Sequence, residues 1–155
     1  MRITSSIEYA TRLMVTLASE HGSAPVPAER LAAADNVPGD YVSQILVKLR
    51  RAGLVTSHRG SAGGYALSRK PAEITLAQVV RAVDGAVFEE TCERYKVGTK
   101  DCRHQGQCAI SPVWMKLGEL VTGYFEGVTL AAILEQKAGA CSAAPDWLDK
   151  LAAGK

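Results

Sequence analysis

The sequence lacks any run of about 18 consecutive apolar residues, the length that a membrane-spanning helix needs. Its first residues also lack the basic-then-apolar layout of a secretory signal. It contains neither a dinucleotide-binding glycine fingerprint nor a serine, histidine and aspartate set, so no enzyme class is indicated. We therefore expect a cytoplasmic, non-enzymatic protein with no membrane partner. Its 155 residues, 47% of them hydrophobic, suffice for one ordinary core.

Acidic residues are absent from residues 41–70, although this segment carries six basic ones. Residues 1–70 hold nine lysines or arginines against five acids, whereas residues 71–155 hold nine against eleven. The formal net charge of +2 therefore conceals a basic first half. A local basic block is what contact with phosphate requires, and a solvated helix face is the alternative. The six residues are Lys48, Arg50, Arg51, Arg59, Arg69 and Lys70.

Cysteine is scarce, with four residues, and three of them stand close together. Cys92, Cys102 and Cys108 lie in residues 86–110, where the pattern shows no sustained period. In the cytoplasm thiols stay reduced, so these cysteines indicate metal or redox chemistry rather than a disulfide framework. Thiolates select zinc, copper(I) or iron-sulfur centres, and three of them leave one coordination position for another ligand. A zinc staple or a reversible thiol switch remains an alternative, and Cys141 is interpreted as an incidental thiol.

Hydrophobic periodicity predicts three helices in the first third of the chain. The first covers residues 5–18, with Ser5 and Glu8 in a capping-box pattern. A short helix follows Val26 and ends at the turn of residues 35–38. The third covers residues 40–52, stops at Gly53, and is expected to bury Tyr41, Ile45 and Leu49.

Two short strands and a further helix follow. Residues 54–58 are rich in β-branched side chains, and Tyr65 and Leu67 alternate with small or polar residues. Three glycines in the six residues between the strands indicate the tip of a hairpin. Thr75 and Gln78 form a second capping-box pattern, which opens a helix that ends at residues 84–85.

A long helix is predicted to begin at Ser111, and its apolar stripe indicates dimerisation. Trp114, Leu117, Val121 and Tyr124 follow a three-four spacing. In so small a domain, the natural partner of this stripe is the same helix of a second copy. The alternative is that the stripe only covers its own core. A short helix over residues 129–136 follows, and residues 137–155 read as a flexible tail.

The predicted order is that of a winged helix-turn-helix, mainly α with a small β-hairpin, plus a long dimerisation helix. We divide the chain into a DNA-binding domain (1–85), a cysteine loop (86–110), a dimerisation region (111–136) and the tail. In this arrangement the third helix enters the major groove and the hairpin, or wing, reaches the adjacent minor groove. The candidate DNA contacts are Ser43, Gln44, Lys48 and Arg51 on the helix, and Arg59, Gly60, Gly63 and Gly64 on the wing.

These residues also carry a resemblance to a known family. The motif Arg59-Gly60, then Gly63-Gly64-Tyr65-Ala66-Leu67-Ser68-Arg69, with Glu73-Ile74-Thr75-Leu76 and Val83-Asp84-Gly85, resembles the IscR and NsrR regulators of the Rrf2 family. The opening residues 1–4 and the segment 41–50 resemble it as well. The resemblance implies a cytoplasmic homodimer that binds double-stranded DNA. It also implies a cysteine loop that holds an iron-sulfur cluster near the dimer interface.

The resemblance leaves the fourth cluster ligand open. IscR-like members use a histidine three residues after the third cysteine, a position held here by Ser111. NsrR-like members use an acidic residue early in the first helix of the partner subunit, which corresponds to Glu8. Glu8 is therefore the leading candidate, against a purely capping role for it, against His104, and against a solvent or thiol ligand. The nine residues between Cys92 and Cys102 exceed the family's usual five, and we favour [4Fe-4S] over [2Fe-2S].

Together these features predict a dimeric transcription regulator, a repressor by expectation, whose operator affinity is controlled by an iron-sulfur cluster. The cluster is expected to sense iron, redox state or nitric oxide. The alternative is a cluster-free regulator or one with a zinc site or thiol switch. An iron-sulfur redox protein is a further alternative, but the basic wing would have no purpose in it.

Overall fold

The computed structural model describes residues 3–60, 62–88 and 108–137. Within these ranges the chain is mainly α with one two-stranded hairpin, which confirms the predicted fold class. The division of the chain at residues 85 and 110 and the tail at 137–155 stay predictions. The elements are α1 (Ser5–Ser19), α2 (Ala28–Asp35), α3 (Gly39–Arg51), β1 (Val55–His58), β2 (Gly64–Leu67), a 3-10 turn (Pro71–Glu73), α4 (Leu76–Asp84), α5 (Ser111–Gly127) and α6 (Leu130–Lys137).

The start of α1 differs from the expected capping box. Thr4 is the N-cap, and its Oγ1 accepts a hydrogen bond from the backbone N–H of Ile7 at 3.3 Å. The prediction that Ser5 caps the helix with Glu8 is therefore wrong, because the cap stands one residue earlier and leaves Glu8 out of register. The corresponding prediction for α4 is confirmed, since Thr75 and Gln78 satisfy each other's backbone N–H groups.

Helix α3 packs through one apolar face. Asn36 is the C-cap of α2, and its left-handed backbone (φ 51°) allows the tight turn into α3. The buried side chains of α3 are Val42, Ile45, Leu46 and Leu49. The prediction that Tyr41 is buried is wrong: it is 44% exposed and lies at the edge of this face, against the ring of Tyr9.

The wing is a hairpin that a third segment extends. β1 and β2 pair antiparallel, with Val55 opposite Leu67 and His58 opposite Gly64. Val26, between α1 and α2, exchanges two backbone hydrogen bonds with Tyr65, at 2.9 and 2.8 Å. A Cβ at Gly64 would stand 2.5 Å from the backbone of Val26, so only glycine allows this close approach.

A single core joins the winged-helix elements to α5 and α6. Leu13, Met14 and Leu31 are fully buried, as is Leu130 from α6. Backbone hydrogen bonds from Leu76 to Val128 (2.8 Å) and from Leu130 to Ile74 (3.0 Å) fasten the end of α5 beside α4. None of the helices in the described ranges has both the length and the apolarity needed to cross a bilayer.

Candidate DNA interface and cluster site

The outward face of α3 carries two polar side chains that have no partner among the described residues. Ser43 and Gln44 are exposed, and within the described ranges neither makes a side-chain hydrogen bond. Both stand beside Val42 and Ile45, whose burial fixes the rotation of the helix. Uncommitted donors and acceptors on a helix of fixed rotation are what reading of base edges in the major groove requires.

The tip of the wing presents Arg59 on a backbone shaped by glycines. Arg59 follows the last residue of β1, is exposed, and has no hydrogen-bond partner in the part of the chain that the structure describes. Gly60 next to it has φ 113°, and its carbonyl accepts the N–H of Gly63 at 3.0 Å. A Cβ at Gly63 would stand 2.5 Å from the carbonyl oxygen of His58. The glycines therefore shape the turn, while Arg59 supplies the side chain that can enter a minor groove.

The basic side chains of the described ranges divide into two groups. Outside residues 41–70, the four lysines and arginines whose side chains the structure describes are ion-paired: Arg12 with Glu8, Arg30 with Glu20, Arg81 with Glu126, and Lys116 with Glu119. Inside residues 41–70 all six are exposed, and none forms an ion pair with a described carboxylate. The basic block is therefore a positive surface that no internal acid neutralises, which favours phosphate as its counterion.

Two basic residues of α3 have partners that the sequence did not indicate. The Lys48 ammonium donates a hydrogen bond to the carbonyl oxygen of Val83 in α4, at 2.9 Å. The Arg50 guanidinium donates one to the hydroxyl of Ser57 in β1, at 3.3 Å. These contacts join α3 to its neighbours. Arg69 and Lys70, exposed directly after β2, were not assigned to DNA from the sequence, although the basic block already contained them.

Of the three clustered cysteines, Cys92 and Cys102 lie outside the described residues, as does His104. Cys108 is a half-buried free thiol three residues before α5, and its carbonyl accepts the N–H of Ser111 at 3.3 Å. No group of three metal-ligating side chains occurs within the residues described. The N-terminus of α5, next to Cys108, carries the positive end of the helix dipole.

Glu8 presents its carboxylate at the surface of α1. Its only partner among the described residues is Arg12, one turn further along, at 2.5 Å, and both side chains are 51% exposed. An apolar groove lined by Ile3, Ile7 and Phe125 runs beside this pair. Because Glu8 takes no part in the helix cap, its carboxylate is available to a ligand once Arg12 is displaced.

Helix α5 exposes an apolar face in its N-terminal half and packs on the core through its C-terminal half. Of the nine exposed large hydrophobic side chains in the described ranges, six belong to residues 110–120: Ile110, Val113, Trp114, Met115, Leu117 and Leu120. Val121 and Phe125 instead pack against the core of their own chain. Tyr124 is half-buried, with its ring 5.9 Å from that of Phe125. Of the predicted stripe, Trp114 and Leu117 therefore lie in the exposed N-terminal half of α5, while Val121, further along the same stripe, covers its own core.

Comparison with known proteins places the chain in a family. The Rrf2 family, described as iron-dependent transcriptional regulators, matches residues 3–136. The chain belongs to the Rrf2 family. Among its Rrf2 relatives is the transcriptional regulator NMA1593 of Neisseria meningitidis serogroup A, 34% identical over 88% of this chain and 90% of the relative. Another is IscR of Serratia proteamaculans, 31% identical over 88% of this chain and 81% of the relative.

Solved structures of Rrf2 regulators share the fold. CymR, the global cysteine regulator of Bacillus subtilis, superposes with a TM-score of 0.73 at 27% identity, covering 88% of this chain and 98% of its own. IscR of T. potens superposes with a TM-score of 0.69 at 25% identity, covering 92% of this chain and 94% of its own. The protein is a transcriptional regulator of the Rrf2 family, which is not a family of enzymes.

Proposed function

We propose that this Rrf2 regulator is a homodimeric repressor whose operator affinity is set by an iron-sulfur cluster held on Cys92, Cys102, Cys108 and the partner subunit's Glu8. The observation that supports the DNA-binding role is the set of six exposed basic side chains on α3, the wing and the residues after β2, none of which forms an ion pair with a described carboxylate. Ser43 and Gln44 would contact base edges in the major groove, and Arg51 would contact a phosphate beside it. Arg59 would enter the minor groove, on a turn made by Gly60, Gly63 and Gly64.

The donor set fits an iron-sulfur cluster. Three thiols and one carboxylate match the ligands that such clusters accept, and Cys108 is free and near the positive end of α5. The iron-dependent description of the Rrf2 family supports the same assignment. When bound, the cluster would supply a centre that responds to iron, redox state or nitric oxide, as [4Fe-4S] by preference over [2Fe-2S].

The exposed face of α5 supports the homodimer. Six large apolar side chains at or next to the N-terminal half of this helix form a patch of the kind that marks a protein interface. Two subunits joined there would place two α3 helices on successive major grooves, about one helical turn apart. Because Cys108 lies three residues before α5, a change at the cysteines would act on the helix that sets this spacing.

The test compares DNA binding by cluster-loaded and cluster-free protein. A duplex enriched by the anaerobically purified protein from a random 30-base-pair library serves as the probe. We expect visible absorbance with bound iron and sulfide, and an affinity that changes about tenfold or more when a chelator removes the iron. Cys108→Ala should lose the absorbance, whereas Cys141→Ala should keep it. Colourless, iron-free protein that binds the duplex with unchanged affinity would contradict cluster control.

The likeness to CymR, a cysteine regulator, favours a second candidate, a regulator that acts without a cluster. That candidate also predicts sequence-specific DNA binding, but no iron requirement. The same titration therefore separates the two. Affinity that follows the iron content supports the cluster, and affinity that is indifferent to iron supports the second candidate.

A further inference from the structure

Lys48 lies on α3, the proposed recognition helix that would enter the major groove, and it is bonded to the protein rather than free for DNA. It lies in the last turn of α3, and its ammonium donates a hydrogen bond to the Val83 carbonyl oxygen at 2.9 Å. Val83 is the second-last residue of α4 (Leu76–Asp84). This contact therefore joins the end of the recognition helix to the end of the helix that precedes the cysteine segment.

The contact is favourable for two physical reasons. The last carbonyls of an α-helix have no intrahelical partner, and the C-terminus carries the negative end of the helix dipole. A lysine ammonium satisfies both requirements at once. The Val83 side chain is buried in the core, with 6% exposure, so the carbonyl that Lys48 binds is held in place.

We propose that Lys48 is a positioning residue that fixes α3 against the end of α4, rather than a phosphate or base contact. This inference rests on the proposed DNA-binding function. Gln44 lies four residues before Lys48, so the two share a face of α3. The bond from Lys48 to Val83 thus adds to the buried face of α3 in holding the rotation at which Gln44 faces a base edge. A movement of the end of α4 would therefore move α3 as well, because the bond from Lys48 to Val83 joins the two helices.

The test uses three substitutions on α3. Lys48→Met removes the ammonium and keeps the aliphatic stem, and Lys48→Arg restores a donor. Arg51→Met is the matched control, because Arg51 is exposed and has no partner among the described residues. Affinities of the full-length variants are measured for the library-enriched duplex and for a scrambled duplex of the same length, over a series of salt concentrations.

We expect Lys48→Met to lower affinity for the enriched duplex about 3- to 10-fold. Affinity for the scrambled duplex and the slope against salt should stay unchanged, and Lys48→Arg should recover most of the loss. Arg51→Met should instead weaken both duplexes and reduce the slope by about 0.9, the value for one lost phosphate contact.

Three results would overturn the proposal. If Lys48→Met lowers the salt slope and weakens both duplexes, Lys48 contacts phosphate. If both affinities fall equally with an unchanged slope, the effect is a general loss of folded protein. Hydrogen exchange tests the contact without DNA: the amides of residues 84–88 should exchange faster in Lys48→Met, and unchanged exchange would also refute it. Wild-type protein that does not distinguish the two duplexes would refute the proposed function instead, while the exchange result still decides on Lys48.

Discussion

The Tyr9 ring of α1 meets the Tyr41 ring of α3 edge to face, with centroids 5.8 Å apart and planes at 81°. Tyr9 follows Glu8 directly, and Tyr41 lies in the first turn of the recognition helix. The two helices that carry the proposed cluster ligand and the proposed base contacts therefore touch through these rings. Together with the bond from Lys48 to Val83, the ring pair holds α3 near both of its ends.

Removing the ring pair should cost a modest amount of stability. Aromatic pairs of this geometry contribute about 0.5–1.5 kcal/mol beyond their burial. We expect Tyr41→Ala to lower the free energy of unfolding by about 1–2 kcal/mol in urea titrations, because the exposed ring loses little burial energy. Tyr41→Phe keeps the ring and should match the wild type. A loss of 4 kcal/mol or more would mean that Tyr41 is part of the core.

If Glu8 is a cluster ligand, substitutions of Glu8 and Arg12 should have opposite effects on the stability of the cluster. Arg12 occupies the Glu8 carboxylate and would have to release it. We expect Glu8→Ala to change the visible spectrum and hasten loss of the cluster in air, whereas Arg12→Ala should leave the cluster intact or slow its loss. As an exposed pair, the two residues contribute only about 0.3–0.5 kcal/mol to stability, so both variants should fold. Identical cluster lifetimes in Glu8→Ala and the wild type would exclude Glu8.

The unpaired arginine of the wing should matter for DNA, and a paired one should not. We expect Arg59→Ala to cost about 1–3 kcal/mol of binding to the enriched duplex, measured by fluorescence anisotropy. Arg30→Ala is the control, because Arg30 already pairs with Glu20 outside the basic block. Equal affinities of Arg59→Ala and the wild type would refute the placement of the wing in the minor groove.

Gly64 should tolerate no side chain. A Cβ there would stand 2.5 Å from the Val26 backbone, and relief of the clash requires parting the backbone pair of Val26 and Tyr65. We expect Gly64→Ala to lower the free energy of unfolding by about 1–3 kcal/mol, as for other overpacked sites. Gly39→Ala is the control, because a Cβ there meets nothing within 4 Å. Equal stability of the two variants would argue against the close approach.

A charge on the exposed face of α5 should break the proposed dimer. We expect Leu117→Glu to give a monomer in analytical ultracentrifugation, because an interface would bury the new carboxylate without a partner. Val47→Glu is the control: Val47 is 38% exposed on α3, nearly the same as the 39% of Leu117. A Leu117→Glu protein that remains dimeric would locate the interface elsewhere.

Local sequence patterns predicted the elements better than the contacts between them. Thr75 and Gln78 formed the expected capping box, but Ser5 and Glu8 did not, because Thr4 offers an equally good cap one residue earlier. The side-chain period of α3 placed Ser43 and Gln44 outward correctly. It could not show that Lys48 meets the end of α4, since that carbonyl lies 35 residues away in the chain.

The glycines of the wing also show that local sequence patterns do not reveal contacts between distant segments. Three glycines between two strands predict a turn with positive φ, and the φ of 113° at Gly60 confirms this prediction. The need for glycine at position 64 arises from Val26, which belongs to a different part of the chain. The exposed side of α5 was predicted for Trp114 and Leu117, whereas the burial of Val121 depends on the packing of that helix on α4, which periodicity does not show.

The backbone pair between Val26 and Tyr65 attaches the wing to the segment between α1 and α2, and we expect it to make the wing a rigid extension of the domain rather than a flexible arm. A rigid arm cannot adapt to grooves at different distances. Operator choice would then depend on the separation of the two half-sites as much as on their bases. Inserting one base pair between the half-sites should weaken binding more than changing one base within either half-site.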